Sequence, residues 1–461
     1  MKLLLCLLIS KCIAVPDLLN VVNLSKTFSY LTITSKSGIG VYDLNSKNVY
    51  AIFNTSNPEF GILSPDLTKI FFIKNRKELC VYNVPFREEF YLTTFDFFVE
   101  KLGVGKQSLI VQGSGKELLL DYSGFPIPDS LKEKFYNFAS LESKKSINLP
   151  PLLTPYGNVI PFSTVLFDSL SSLTFVGTRG YGVFVYSKQK GSYVDSITLG
   201  LPEVSEIIAS HCERDTIFLL TPNSLISLSA DLRAKVYTPF NLEPDEKFVG
   251  MDNTHPSPLL ITSKGRIFTL SKDRMVFEKK LDINVQKFFD FKDEKILFLE
   301  ENAIKLITIE SETLLLLNLS PNYENLKALI TKDGIALWID GRLYLYKKDS
   351  LFNVMEKCKI DGRILDFVVM DDELWIITFS NLWKIEDNDA VCYELPFQNP
   401  DRVVLSEDGG LYIIKAPLFA KIEGMDFFLE SIPLMEREIL GVHRISERKI
   451  ICTQKSLYIC Q

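Results

Sequence analysis

Histidine is the scarcest reactive side chain in this 461-residue protein, with His211, His255 and His443 the whole supply, and no two stand at metal-ligand spacing. His211 and Cys212 are adjacent, but without further ligands nearby in sequence the pair reads as structural. No metal site and no cofactor is expected. Long basic blocks are also missing from a chain of formal charge −7, which argues against a nucleic-acid partner, since phosphate recognition needs clustered Lys and Arg. Beyond the amino terminus nothing approaches the ~20 consecutive apolar residues of a membrane span, so no span is expected. Two glycine-lysine stretches, 103–106 and 113–116, look like phosphate loops. Both lack the earlier glycine and the hydroxyl after lysine, and both lie among strand-like runs, so neither is assigned that role.

What is present begins with the leader-like first residues. Met1-Lys2 is followed by the apolar run 3–10 and by Cys12-Ile13-Ala14, with a small residue where signal peptidase cuts. Residues 1–14 are therefore expected to be a signal peptide, with a mature start at Val15-Pro16 in a secreted or endomembrane-lumen protein. The alternative is a cytoplasmic chain whose first strand imitates a leader. Six cysteines remain after such a cut (Cys80, Cys212, Cys358, Cys392, Cys452 and Cys460), an even number available for disulfides. Asn23, Asn54 and Asn318 head sequons and are expected glycosylation sites.

Aromatic residues make up 12% of the chain, too many for a disordered one. They fall in a repeat: apolar strand, acidic turn, apolar strand, short turn, apolar strand. Copies at 328–339, 366–377 and 404–414 place Trp338, Trp375 and Tyr412 at intervals of 37 residues. The central hairpin of the unit recurs at 31–42, 70–82, 109–120, 174–186, 217–228, 259–270 and 296–307, in those three copies, and at 450–459. Eleven hairpins about 40 residues apart, without a helical period, predict an all-β protein of the β-propeller type built from four-stranded repeats. Runs such as 70–73 and 297–299 suit middle strands buried on both faces. Asp-Gly pairs at 333–334, 340–341, 361–362 and 408–409 suit tight turns rather than catalysis.

The rhythm breaks between 120 and 174. Ser130 to Glu133 form a capping-box pattern, with Leu131, Phe135 and Phe138 on one helical face, and Lys144, Lys145 and prolines 150, 151, 155 and 161 follow. The chain accordingly divides into N-terminal repeats (15–121), a helix-containing insertion and Pro-rich linker (122–158) and C-terminal repeats (159–461). Three blades cannot close alone, so the repeats are expected to form one large ring or two rings sharing chain segments. The last repeat is one strand short, and residues 18–22 are expected to supply it.

On these residues a resemblance emerges. Phe175 to Phe184 and Leu374 to Leu382 are similar to repeats of the two-component-regulator and quinoprotein-like propellers, and Ser64-Pro65-Asp66 before Ile70-Phe71-Phe72 resembles TolB-like repeats. The resemblance implies the propeller fold and no activity, because propellers host unrelated functions. WD, kelch, YWTD and sialidase Asp-box signatures are missing. With no catalytic constellation in the sequence, the expected function is a non-catalytic scaffold that binds another protein. The alternatives are a hydrolase or lyase with carboxylates converging in a central channel, or a cytosolic coat or pore scaffold.

Overall fold

The computed structural model describes residues 8–460 apart from 10–11, 132–134, 136, 141–148, 155–157, 203, 205, 240–241, 253–256, 272–273, 311–312, 319–325, 333, 348–349, 371–372, 387–388, 407–409, 424–425, 433–437 and 446–447. Within them the chain forms eleven antiparallel sheets of four strands, one of which gains a fifth. In chain order they span 21–54, 58–94, 101–140, 162–197, 209–237, 248–280, 287–318, 326–353, 366–394, 402–431 and 439–460, and are numbered first to eleventh. Every hairpin expected from the repeat falls within one sheet, and that at 109–120 supplies the outermost strand of the third sheet and its neighbour rather than the centre. The protein is an all-β, multi-blade β-propeller.

Face-to-face packing explains the continuous apolar runs. In the second sheet Ile70 and Phe72 pack on the first sheet with Ile39, Val41 and Phe53, while Phe71 and Ile73 pack on the third with Leu102, Leu109 and Val111. All four are fully buried. A strand in the middle of such a sheet has no solvent face, so the alternation of a two-sided strand disappears from its sequence. Outer strands differ: Glu88–Thr94 is largely exposed. The turns follow the expected chemistry where described, with Asp340 at φ 47° and Gly341 at φ 87° closing the two-residue loop between Ile339 and Arg342. Asp333, Asp408 and Gly409 lie outside the described residues.

The chain gathers into two compact units that each take more than one chain segment, so it is not cut at a single boundary. The smaller comprises residues 13–203 and 228–235; the larger comprises 1–12, 204–227 and 236–461. In the smaller unit the fourth, first, second and third sheets pack in that order. The insertion after residue 121 differs from the helix expected there. A single 3₁₀ turn, Asp129–Leu131, precedes strand Asn137–Ser140, which pairs antiparallel with Lys101–Val104 and becomes the innermost strand of the third sheet. Phe138 is thus on a strand; cross-strand pairing overrides the local helical pattern. Lys144, Lys145 and Pro155 lie outside the described residues.

In the larger unit, cores form between fifth and sixth, sixth and seventh, seventh and eighth, eighth and ninth, ninth and tenth, and tenth and eleventh sheets. The eleventh returns to the fifth: Ile207 N–H donates to Gln454 O, and Ser210 meets His443. Seven sheets therefore make a closed circuit. Trp338 and Trp375 sit on second strands and each faces the following sheet, Trp375 nearly enclosed and Trp338 partly so, its indole N–H donating to the carbonyl of Ile364.

The last repeat does lack a strand, but residues 18–22 do not fill the gap. Val21 begins the innermost strand of the first sheet, whereas Cys12–Ala14 lies beside Leu457–Cys460 in the eleventh. Just before it, Leu8–Ile9 pairs parallel with Asp426–Ser431 as the fifth strand of the tenth sheet. Cys12 is disulfide-bonded to Cys460 across 448 residues of sequence. This pairs Cys460 with a cysteine assigned by sequence to the leader, and Cys80, Cys212, Cys358, Cys392 and Cys452 form no disulfide. Loss of residues 1–14 would remove Cys12 and with it this bridge.

Two outcomes follow from this packing. Replacing Trp375 by alanine should lower the stability of the larger unit by about 3–5 kcal/mol in denaturant unfolding, and Trp338→Ala by less, because only the first empties an enclosed site; equal, negligible effects would show that the two sheets do not pack as described. In chain that retains Cys12, Cys460→Ser should cost roughly 2–4 kcal/mol in oxidising buffer and nothing under reducing conditions. An unchanged oxidised variant would rule out the bridge.

Candidate functional site

An innermost strand has a hydrogen-bonded neighbour on one side only, so its other edge presents N–H and C=O groups that still need partners. In this protein the adjacent sheet supplies them through side chains spaced about one repeat away in sequence. Lys287 Nζ donates to Leu326 O at 2.8 Å, Lys327 Nζ to Phe367 O at 2.7 Å, and Arg402 Nη1 to Ile439 O at 2.7 Å. Carboxylates do the converse. Asp290 accepts from Ile330 N at 2.8 Å, Asp366 from Val403 N at 3.1 Å, and Asp252 from Glu294 N at 3.1 Å. In the smaller unit hydroxyls take the role, Ser25 donating to Gly61 O and Thr27 to Leu63 O.

Membership of this series decides how the charged groups are read. The inner-strand carboxylates Asp252, Asp290 and Asp366, which might have formed a catalytic set, are each engaged with the backbone of the next sheet. Burial pushes Asp290 up to about 6, against the pull of its two backbone N–H donors, Ile330 and Phe291. Lys287 is held below the usual lysine range by burial. Asp366 is joined by Lys327 Nζ at 2.5 Å and lies 4.0 Å from Arg402. The deepest ion pair, Glu246 with Arg266 and Thr262 Oγ1, braces the sixth sheet; burial opposes the Glu246 charge, but these hydrogen bonds outweigh it and hold its carboxyl below the usual range.

His443 Nε2 lies 2.8 Å from Ser210 Oγ, a spacing that suits a base and a nucleophile. A Cβ on Gly441 would lie 2.6 Å from both atoms, so only glycine leaves room for the contact. It ties the eleventh sheet to the fifth from side chain to side chain, where the other links run between side chain and backbone. His211 is also buried, and His255 lies outside the described residues. Among the described residues no group of three or more His, Cys, Asp and Glu is placed to hold a metal, and no helix is long and apolar enough to cross a membrane.

The remaining sequence features are placed as follows. Gly103 is inside strand Lys101–Val104, and residues 114–115 form the turn between strands Ser108–Gly113 and Lys116–Asp121, so neither stretch is a phosphate loop. Asn23 is buried within strand Val21–Thr27, which leaves no room for a glycan in the folded chain; Asn54 and Asn318 are exposed. Burial raises the Cys80 thiol to about 11, so it stays protonated.

A different surface was not legible in the sequence. Phe90 and Tyr91 are exposed on Glu88–Thr94, the outermost strand of the second sheet, which has a strand on one side only. Phe86, Phe98 and Phe125, each more than half exposed, lie in loops of the second and third sheets.

No protein-family model and no curated protein matches the chain. Among solved structures, a streptogramin B lyase is similar with a TM-score of 0.41 and 13% identity, over 58% of this chain and 96% of its own. The extracellular domain of a hybrid two-component system from B. thetaiotaomicron has a TM-score of 0.41 and 10% identity, over 94% of this chain and 74% of its own. PorZ, a surface component of the type-IX secretion system of Porphyromonas gingivalis, has the same score and identity over 95% of this chain and 68% of its own. The likeness is one of fold, and no activity follows from it.

The titration of Asp290 tests the reading of the inner strands. A folded-state pKa above the unfolded value of 3.8 means that the native state holds the proton more tightly. Its stabilising contribution is therefore complete below pH 3.8 and lost as pH rises through about 6. Parent protein should lose stability relative to Asp290→Asn between pH 4 and 7, and a flat or rising difference would contradict the buried placement.

Proposed function

We infer that this protein is a non-catalytic scaffold that recruits another protein, acting in the secretory pathway or outside the cell. The observation that carries the reading is a contrast between two sets of residues. The inner-strand carboxylates Asp252, Asp290 and Asp366 are committed to joining sheets, whereas aromatic side chains stand exposed on and around an unpaired strand edge. Exposed aromatics grouped in this way mark interaction surfaces, and an open edge offers main-chain hydrogen bonds to an extended segment. The Cys12–Cys460 bridge fits an oxidising compartment. Glycans at Asn54 and Asn318 fit the same compartment, as both side chains are exposed.

A photocrosslinking residue at position 90, in protein made by the cells it comes from, should give one discrete adduct. The same residue at exposed Val194, on the outer strand of the fourth sheet, should not. No adduct, or identical adducts from both positions, would remove this surface from consideration.

A further inference from the structure

The bonds that link successive inner strands also show where the starts of those strands lie. Lys287 begins its strand and reaches Leu326, the first residue of the next; Lys327 reaches Phe367, the second residue of the next; Arg402 begins its strand and reaches Ile439, again a first residue. Start therefore lies beside start, and the beginnings of the inner strands ring one mouth of the circuit formed by the larger unit. At that position the seven sheets carry Ala209, Lys247, Lys287, Lys327, Asp366, Arg402 and Glu438. Lys247 precedes strand Phe248–Asp252, and its carbonyl accepts from Ser263, just as that of Glu438 accepts from Gln454 at the start of the eleventh sheet.

The charges are not spread evenly. Asp366 is taken up by Lys327 and flanked by Arg402, and Glu438 lies on the far side of Arg402. Lys247, Lys287 and Lys327 follow one another on three consecutive sheets; the Lys327 ammonium is paired with Asp366 at 2.5 Å, so Lys247 and Lys287 carry the positive charge of this run, in a protein whose overall charge is −7. The acceptor of Lys287 is a neutral carbonyl, so hydrogen bonding does not cancel its charge. Sheets packed face to face stand about 10 Å apart, so the ammonium groups of neighbouring sheets suit an anion whose charges are separated by several bonds.

We propose that the mouth beside Lys247 and Lys287 binds a small polyanion, an oligophosphate or polycarboxylate, that spans the inner strands of the sixth and seventh sheets. Two ammonium groups on adjacent strands favour multiply charged ligands over single ions. The site belongs to the larger unit alone and does not depend on the aromatic surface of the second sheet.

Calorimetric titration of the full chain with tripolyphosphate, and separately with citrate, at constant ionic strength tests it. Saturable one-site binding is expected for at least one of the two, and which one identifies the class. Lys247→Gln leaves the Lys287–Leu326 bond in place and should weaken binding about fivefold, with Lys247→Gln/Lys287→Gln weakening it by more than tenfold. The control Lys188→Gln/Lys280→Gln removes two exposed lysines elsewhere and should bind like the parent. Unfolding temperature, measured alongside without ligand, should be unchanged in Lys247→Gln. Absence of saturable binding to both anions overturns the proposal, and so does an equal loss in the control pair.

Discussion

Everything in this molecule depends on sheets that bury both faces against neighbours while leaving one edge of each innermost strand unpaired. Apolar packing holds the faces together, but packing has no direction and does not fix how one sheet is registered against the next. The side chains that cross from one inner strand to the backbone of the following one supply that register. Lysine, arginine, aspartate, serine and threonine perform the same task, each satisfying an N–H or carbonyl that would otherwise be buried without a partner. The circuit of seven sheets is closed by a side-chain pair, serine and histidine, and by the backbone bond from Ile207 to Gln454.

This arrangement explains which parts of the architecture were legible in the sequence. Middle strands are buried on both sides, so runs such as Ile70 to Ile73 are apolar without interruption and mark all eleven hairpins. The bridging residues were not legible, because the meaning of Lys287 or Asp290 depends on a backbone group about 40 positions away. An isolated lysine or aspartate at a strand start looks like surface. Nor could the sequence show that His443 meets Ser210, which are 233 residues apart.

Two short segments show where local pattern is not enough. Leu131, Phe135 and Phe138 carry a helical spacing, yet Phe138 is recruited into a strand by Lys101–Val104. Residues 3–14 carry the pattern of a leader, and Leu8–Ile9 and Cys12–Ala14 also stand as strands at the edges of two consecutive sheets. In both places a short apolar segment satisfies two physical demands equally well. The aromatic surface escaped notice for a related reason: Phe90 and Tyr91 are indistinguishable in sequence from the buried aromatics further inward, Phe71, Phe72 and Tyr82.

The bridge between Cys12 and Cys460 has a consequence in time. One half of it leaves the ribosome near the beginning of synthesis and the other near the end, 448 residues later. At ordinary rates of elongation that interval is roughly 20–90 s. Throughout it the thiol of Cys12 and the strand that carries it are without their partner, while ten of the eleven sheets are completed. Of the two cysteines in the bridge, Cys12 is therefore the one longest exposed to other thiols before the final strand arrives.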